Sequence, residues 1–139
     1  MTDTAVFVLD SFALLAYLQD EPVASRIEKL LENAHQGKGR LLLSIINLGE
    51  LLYITERRGG IARAQDALAL IRQLPIDILL ADEQTVFSAA HIKANHAISC
   101  ADSFVAAIAM QEEAVILTGD PEFQSVETLI QLEWLEVTG

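Results

Sequence analysis

The sequence predicts an α/β fold in three layers, in which a parallel β-sheet lies between two layers of helices. Short apolar runs without polar alternation recur along the chain, as is typical of strands buried on both faces. Between these runs lie segments whose apolar residues repeat every three or four positions, the spacing of a helix. Because helices separate the strands, right-handed crossovers and parallel pairing are expected.

The first half of the chain is predicted to contain two strands and three helices. The opening run AVFVL, at Ala5–Leu9, is apolar throughout. Helical spacing continues through 23–35 and stops at Gly37, a typical residue after a helix end. The predicted elements are a strand at 5–9, helices at 12–18 and 23–35, a strand at 41–43 and a helix at 46–58.

The second half continues the alternation. Pro75 ends one helix, and the Ala-rich segment 100–110 is predicted to be the most buried helix. The run 129–135 alternates apolar and polar residues, which predicts an edge strand. The predicted elements are a helix at 62–74, a strand at 76–80, helices at 83–96 and 100–110, and strands at 114–117 and 129–135.

Length and composition predict a single domain spanning 1–139, because the chain has 139 residues and a domain averages about 150. With 52% hydrophobic and 21% charged residues, a disordered chain is excluded. The apolar runs are too short to span a membrane, and the N-terminus lacks the basic region of a signal peptide. The single cysteine, Cys100, forms no internal disulfide and is predicted to be a structural residue in a buried helix. A cytoplasmic protein is therefore expected.

The chain is strongly acidic, with 20 Asp and Glu, nine Lys and Arg, and a formal net charge of −11. Such a field repels phosphates, so nonspecific binding to nucleic acid is not expected. Contacts to a nucleic acid would have to be local or made through bound cations. The candidate contacts are Arg57, Arg58, Arg63 and Lys93, which are equally well explained as ordinary surface or helix-end cations.

Four acidic residues stand at informative places. Asp10 follows the first strand directly, and Asp120 lies just past the strand at 114–117. Glu50 and Asp102 are predicted in the first turns of apolar helices. Functional groups gather at the carboxyl ends of strands in an open parallel sheet, so these acids are candidate site residues.

Each of these acids also has a structural interpretation as part of a helix cap, and the sequence leaves both interpretations open. The alternatives are a cap by Asp10, capping boxes formed by Asn47 with Glu50 and by Ser99 with Asp102, and a cap by Asp120 ahead of Pro121. Taken together, four carboxylates at one edge would repel each other unless a cation binds among them. Oxygen ligands without His or Cys favour Mg²⁺ or Mn²⁺. The chemistry indicated is metal-assisted hydrolysis of a phosphodiester.

Four segments around these acids carry a resemblance to a known family. They are Val8-Leu9-Asp10-Ser11, Asn47-Leu48-Gly49-Glu50-Leu51, Ser99-Cys100-Ala101-Asp102-Ser103-Phe104 and Leu117-Thr118-Gly119-Asp120-Pro121-Glu122-Phe123. With these motifs in this order, the sequence resembles a PIN domain, in particular the compact VapC-type toxins of prokaryotic toxin–antitoxin pairs. The resemblance covers nearly the whole chain.

The resemblance implies a sheet ordered 3-2-1-4-5 and a Mg²⁺- or Mn²⁺-dependent endoribonuclease that hydrolyses RNA with metal-activated water. It implies that Asp10, Glu50, Asp102 and Asp120 are the catalytic, metal-binding acids. Thr118 matches a hydroxyl that orients the last acid or the water. The resemblance also implies a homodimer and inhibition by a cognate antitoxin, whose basic C-terminal segment occupies the active-site groove.

Two apolar stripes on the predicted helices are candidate surfaces for a second subunit or an antitoxin. The alternative is that both stripes face an ordinary core. The first stripe comprises Val23, Ile27, Leu30 and Leu31, and the second comprises Leu51, Leu52, Tyr53 and Ile54.

Other functional classes are weighed against the nuclease. A PIN-fold protein that mainly binds an antitoxin or regulates an operon needs no turnover. A receiver-like signalling domain would use Asp82 after the third strand, but it needs paired acids after the first strand, where Asp10 stands alone, and no lysine follows Lys93. A haloacid-dehalogenase-like phosphatase needs an acid at position 12, which is Phe12.

Overall fold

A five-stranded parallel sheet forms the middle layer of the protein. In the computed structural model, which describes residues 5–135, each strand pairs in parallel with its neighbours. The strands are β1 Ala5–Leu9, β2 Gly39–Ser44, β3 Asp77–Leu79, β4 Val115–Thr118 and β5 Leu132–Trp134. Their order in the sheet is β3-β2-β1-β4-β5, which confirms both the predicted α/β class and the predicted strand order.

The helices connect these strands and begin and end close to the predicted positions. They are α1 Ser11–Leu18, α2 Ala24–His35, α3 Ile45–Gly59, α4 Ile61–Gln73, α5 Glu83–Asn95 and α6 Cys100–Glu112, with a 3-10 helix at Pro121–Val126. The junction of α3 and α4 is Gly60, whose φ of +89° is a backbone conformation that other residues rarely adopt. In the described part of the chain, none of these helices is long and apolar enough to cross a membrane.

The core lies on both faces of the sheet. Along β1, Val8 contributes to the cluster with α5 and α6, whereas Leu9 contributes to the cluster with α1, α2, α3 and α4. In β4, Ile116 and Leu117 divide between the two clusters in the same way. β1 and β4 are therefore covered on both faces, which is why their sequences lack polar alternation. In α6, every residue from Asp102 to Ala109 is buried, as predicted for this helix.

The first apolar stripe belongs to this core. Ile27, Leu30 and Leu31 are buried among strand and helix residues, and Val23 packs partly buried against them. Of the two alternatives that the sequence left open for this stripe, the structure therefore supports the core. In the second stripe Leu51 is fully buried, whereas Tyr53 is 49% exposed.

Two local predictions also need correction. The last strand was expected at 129–135, but β5 begins only at Leu132. The residues before it form the 3-10 helix and a turn, and its neighbour β4 offers few residues for pairing. Cys100 was expected to be buried, yet it is exposed. It occupies the first position of α6, and this helix enters the core only from Asp102 onward.

Candidate metal centre

A cleft of about 350 Å³ opens at the carboxyl ends of the strands. Because β1 and β4 are parallel neighbours, the residues that follow them meet at this edge. The lining includes all four acids predicted from the sequence. The lining residues are Asp10, Ser11, Phe12, Leu15, Glu50, Ile54, Ser99, Asp102, Asp120 and Glu122.

Asp10 lines this cleft and is only 1% exposed. It is the N-cap of α1, where its Oδ1 accepts a hydrogen bond of 2.8 Å from the backbone N–H of Ala13. Its Oδ2 accepts a hydrogen bond from the hydroxyl of Thr118. Burial raises the pKa of Asp10 from 3.8 to about 6, although both hydrogen bonds oppose the rise. The side chain of Asp10 therefore both caps α1 and lines the cleft.

Thr118 connects two of the predicted acids. Its buried hydroxyl donates to Asp10 and accepts from the backbone N–H of Asp120 at 2.9 Å. Thr118 does not line the cleft, so its hydroxyl acts on these two neighbours.

Asp120 is the N-cap of the 3-10 helix. Its Oδ1 accepts from the N–H of Glu122 at 3.0 Å, and Pro121 occupies the first helical position. This is the predicted cap ahead of a proline. The tight turn also places the side chain of Glu122 at the cleft.

Asp102 is held in the first turn of α6, where its backbone N–H donates to the Ser99 hydroxyl at 3.2 Å. The residue is only 6% exposed. Burial raises the pKa of Asp102 to about 8, with further contributions from the negative charges of Asp10, Asp120 and Glu122. Both the burial of Asp102 and its acidic neighbours therefore disfavour its charged form in the absence of a cation.

A cluster of three carboxylates provides the spacing of a metal site. One oxygen each of Asp102, Asp120 and Glu122 lies within 4.8 Å of the other two. Glu122 was not among the predicted site residues. Its side chain also accepts a hydrogen bond from the backbone N–H of Ser99 at the start of α6. The signal in the sequence was the position of Glu122 in the first turn after the cap Asp120. This turn keeps the side chain at the same edge of the sheet as Asp120.

Glu50 lines the cleft but does not belong to this three-carboxylate cluster. The expected capping box of Asn47 with Glu50 is wrong, because α3 begins at Ile45 and its cap is Ser44, which accepts from the N–H of Ile46. Glu50 consequently lies in the second turn of α3 and is partly exposed.

Asn47 instead binds Ser11. Its side-chain amide donates to the Ser11 hydroxyl at 3.3 Å, and that hydroxyl donates to the backbone carbonyl of Asn47 at 3.2 Å. This pair joins the start of α1 to α3 beside the cleft.

The predicted cation contacts lie elsewhere. Arg57 stacks over the ring of Tyr53 at 5.2 Å, and Lys93 donates to the carbonyl of Ile98 at 3.0 Å. Arg58 and Arg63 line a separate hollow of about 530 Å³. It adjoins the acidic cleft, since Leu15 lines both.

The donor set fits a hard divalent cation. All the ligand atoms in the cleft are oxygens, and its lining contains no His or Cys. Burial is the main cause of the raised pKa values of Asp10 and Asp102, and the neighbouring carboxylates add to it; a bound cation would offset both effects.

A comparison with protein families decides the classification. The profile of the PIN domain matches residues 7–129. The chain belongs to the PIN domain family. No curated protein sequence matches this PIN domain significantly.

Solved structures share the fold of this PIN domain. DNA-bound VapBC from Salmonella typhimurium matches with a TM-score of 0.75 at 21% identity, covering 96% of this chain and 100% of that one. VapBC2 from Rickettsia felis, bound to a DNA fragment from its promoter, matches with 0.74 at 18%, covering 94% and 99%. VapC20 of Mycobacterium tuberculosis, a toxin that cleaves the sarcin-ricin loop, matches with 0.61 at 18%, covering 81% and 87%.

The PIN fold also removes the receiver alternative. A flavodoxin-like receiver sheet is ordered 2-1-3-4-5, whereas this sheet is ordered β3-β2-β1-β4-β5. Asp82 caps α5 by accepting from the N–H of Thr85 at 2.9 Å, and the side chain and backbone of Thr85 together lower the pKa of Asp82.

Proposed function

We propose that this PIN domain is a metal-dependent endoribonuclease, the toxin component of a VapBC-type toxin–antitoxin pair. The observation that carries the proposal is the crowded carboxylate cluster at the carboxyl edge of a PIN fold. A structural role alone does not account for Asp102, because its raised pKa is a cost to the folded protein at neutral pH.

The metal is Mg²⁺, with Mn²⁺ as a substitute, and its ligands are Asp10, Glu50, Asp102 and Asp120. The position of Glu122 within 4.8 Å of Asp102 and Asp120 supports adding it to this set. When bound, the ion supplies an activated water and neutralises charge that develops on the phosphate.

The protein's own residues hold the site in shape. Thr118 fixes the carboxylate of Asp10 and the backbone of Asp120, so it contributes to catalysis by positioning these acids. The cap at Ala13 fixes the other oxygen of Asp10. Each carboxylate oxygen keeps a further lone pair for a metal.

The partners are an RNA substrate and an antitoxin with a basic C-terminal segment, and the chain works as a cytoplasmic homodimer of single domains. Several neighbours in fold are toxin–antitoxin complexes. An acidic cleft attracts a basic peptide, and an antitoxin Arg or Lys would compete there with the metal. Light scattering tests the dimer, since a monomer at tens of micromolar would contradict it.

A second candidate function is regulation. It is favoured by the neighbouring VapBC complexes that were solved on DNA. Such a role requires antitoxin binding but no turnover.

Incubation of the antitoxin-free protein with a panel of structured RNAs tests these proposals. Cleavage is expected with Mg²⁺ or Mn²⁺ and none in excess EDTA, with Asp102→Asn as the inactive control. Undiminished cleavage in EDTA would contradict the hydrolytic mechanism. A protein that cleaves nothing with either ion but still binds its antitoxin would favour regulation.

A further inference from the structure

Phe12 is an aromatic residue at the mouth of the acidic cleft. It lies two positions after Asp10, in the first turn of α1, and it lines the cleft together with the acids. Although it is a large apolar side chain, it is 37% exposed. The core does not require this ring, because neither buried cluster includes it.

The ring packs closely against the segment that carries the last acid. Gly119, next to Asp120, leaves room for it, since a Cβ at Gly119 would lie 2.4 Å from Cε1 and 2.8 Å from Cζ of Phe12. On another side the ring borders a small hollow of about 160 Å³ with Glu21, Pro22 and Val23. Phe12 thus connects the segment that carries Asp10 with the segment that carries Asp120, and part of its surface is open to a ligand.

The negative charges of the cleft favour an uncharged contact with an RNA substrate. Its lining has five carboxylates and no Lys or Arg, and the whole chain carries a net charge of −11. An RNA phosphate is therefore attracted here only through bound cations. Stacking of a base on an aromatic ring avoids this repulsion and is worth a factor of about 5 to 100 in affinity for each base.

We propose that Phe12 contacts the substrate by stacking against an unpaired base next to the phosphate that is cleaved. The inference rests on the proposed ribonuclease function and adds a residue that contacts the substrate. Bases within a duplex are already stacked on their neighbours, whereas bases in loops and single strands are free to turn outward.

The test uses a short RNA whose cleavage site has first been mapped with the wild-type protein. The nucleotides on either side of the cut are then known. Three forms are compared: the intact RNA and two forms in which the base on one side of the cut is removed to leave an abasic nucleotide. Phe12→Leu keeps apolar bulk against Gly119, and Phe12→Trp keeps an aromatic face. Phe87→Leu is the matched control, because Phe87 is 64% exposed and lies outside the cleft.

On intact RNA, Phe12→Leu should lower kcat/KM by about 5- to 100-fold, whereas Phe12→Trp and Phe87→Leu should stay near wild type. On one of the two abasic RNAs, kcat/KM of the wild type should fall by a similar factor, whereas kcat/KM of Phe12→Leu should remain close to its value on intact RNA. Equal melting temperatures of the variants exclude a folding defect.

Each other outcome overturns the proposal in a distinguishable way. If Phe12→Leu cleaves intact RNA like wild type, no base stacks on Phe12. The same conclusion follows if its kcat/KM is below that of the wild type by the same factor on the intact and on both abasic RNAs. If it loses dimer or antitoxin binding with unchanged RNA cleavage, Phe12 belongs to a protein interface. If the wild type cleaves no RNA with Mg²⁺ or Mn²⁺, the ribonuclease function itself has failed.

Discussion

The hydroxyl of Thr118 donates a hydrogen bond to the carboxylate of Asp10, which lies 108 positions earlier in the chain. The contact ties the end of β4 to the end of β1. It also opposes the effect of burial, because it favours the charged form of Asp10 and keeps its pKa lower than it would otherwise be.

Thr118→Val removes this hydroxyl with little change of shape. The backbone N–H of Asp120 loses its acceptor, which should cost about 1–3 kcal/mol of unfolding free energy. The pKa of Asp10 should rise further, so the Mg²⁺ concentration for half-maximal cleavage should increase, as a metal titration would measure. Thr118→Ser is the control that keeps the hydroxyl, and equal metal dependence of both variants would contradict the positioning role.

The four predicted acids should act as a unit. Asp10→Asn, Glu50→Gln, Asp102→Asn and Asp120→Asn should each lower RNA cleavage by about 100-fold or more, because each removes a proposed ligand. Circular dichroism should show that the folds survive. Wild-type cleavage by all four variants would place the active site elsewhere.

The metal-free protein should become less stable as the pH rises from about 4 to 8. The folded pKa of Asp10 is raised to about 6 and that of Asp102 to about 8. Between the unfolded and the folded pKa the native state binds more protons, so the unfolding free energy falls with pH. For Asp10 alone the loss is about 3 kcal/mol.

Urea denaturation in EDTA at pH 5 and at pH 8 measures this loss. Asp102→Asn should flatten the dependence and raise stability at pH 8, because the repelled charge is gone. Added Mg²⁺ should stabilise the wild type more at pH 8 than at pH 5, since protons compete with the ion. A stability that rises between pH 5 and pH 8 in EDTA would contradict the charge crowding.

Glu122 contributes both a charge to the cluster and an acceptor to the start of α6. Glu122→Gln keeps an acceptor oxygen and should weaken Mg²⁺ binding by about 10-fold with little loss of stability. Glu122→Ala should lose stability as well, because the N–H of Ser99 is left without its partner. Calorimetric titration with Mg²⁺ and thermal melts separate the two effects. Identical metal affinity of Glu122→Gln and wild type would remove this residue from the site.

The fold was largely predictable because its signals are local. Buried strands such as Ala5–Leu9 and helix stops such as Gly37 mark the elements directly. The positions of Asp10 and Asp120 followed from the strand ends, since parallel strands present those ends at one edge.

The rest depended on tertiary geometry. Glu122 reaches the cleft only because Pro121–Val126 forms a 3-10 helix, and a motif of one acid after a proline does not specify that turn. Asn47 resembled a cap, but Ser44 competes for the same role and starts the helix earlier. Burial of Ile27 in the core depended on how α2 packs against β2, which helical spacing alone does not show.

The long separation between Asp10 and Thr118 bears on how such a protein is made. Synthesis delivers β1 early and β4 late, and the central position of β1 leaves one of its edges empty until β4 arrives. A nascent chain therefore has no assembled site while most of it is being translated. For the proposed ribonuclease, this order of assembly delays cleavage of RNA until β4 and the residues after it have been synthesised.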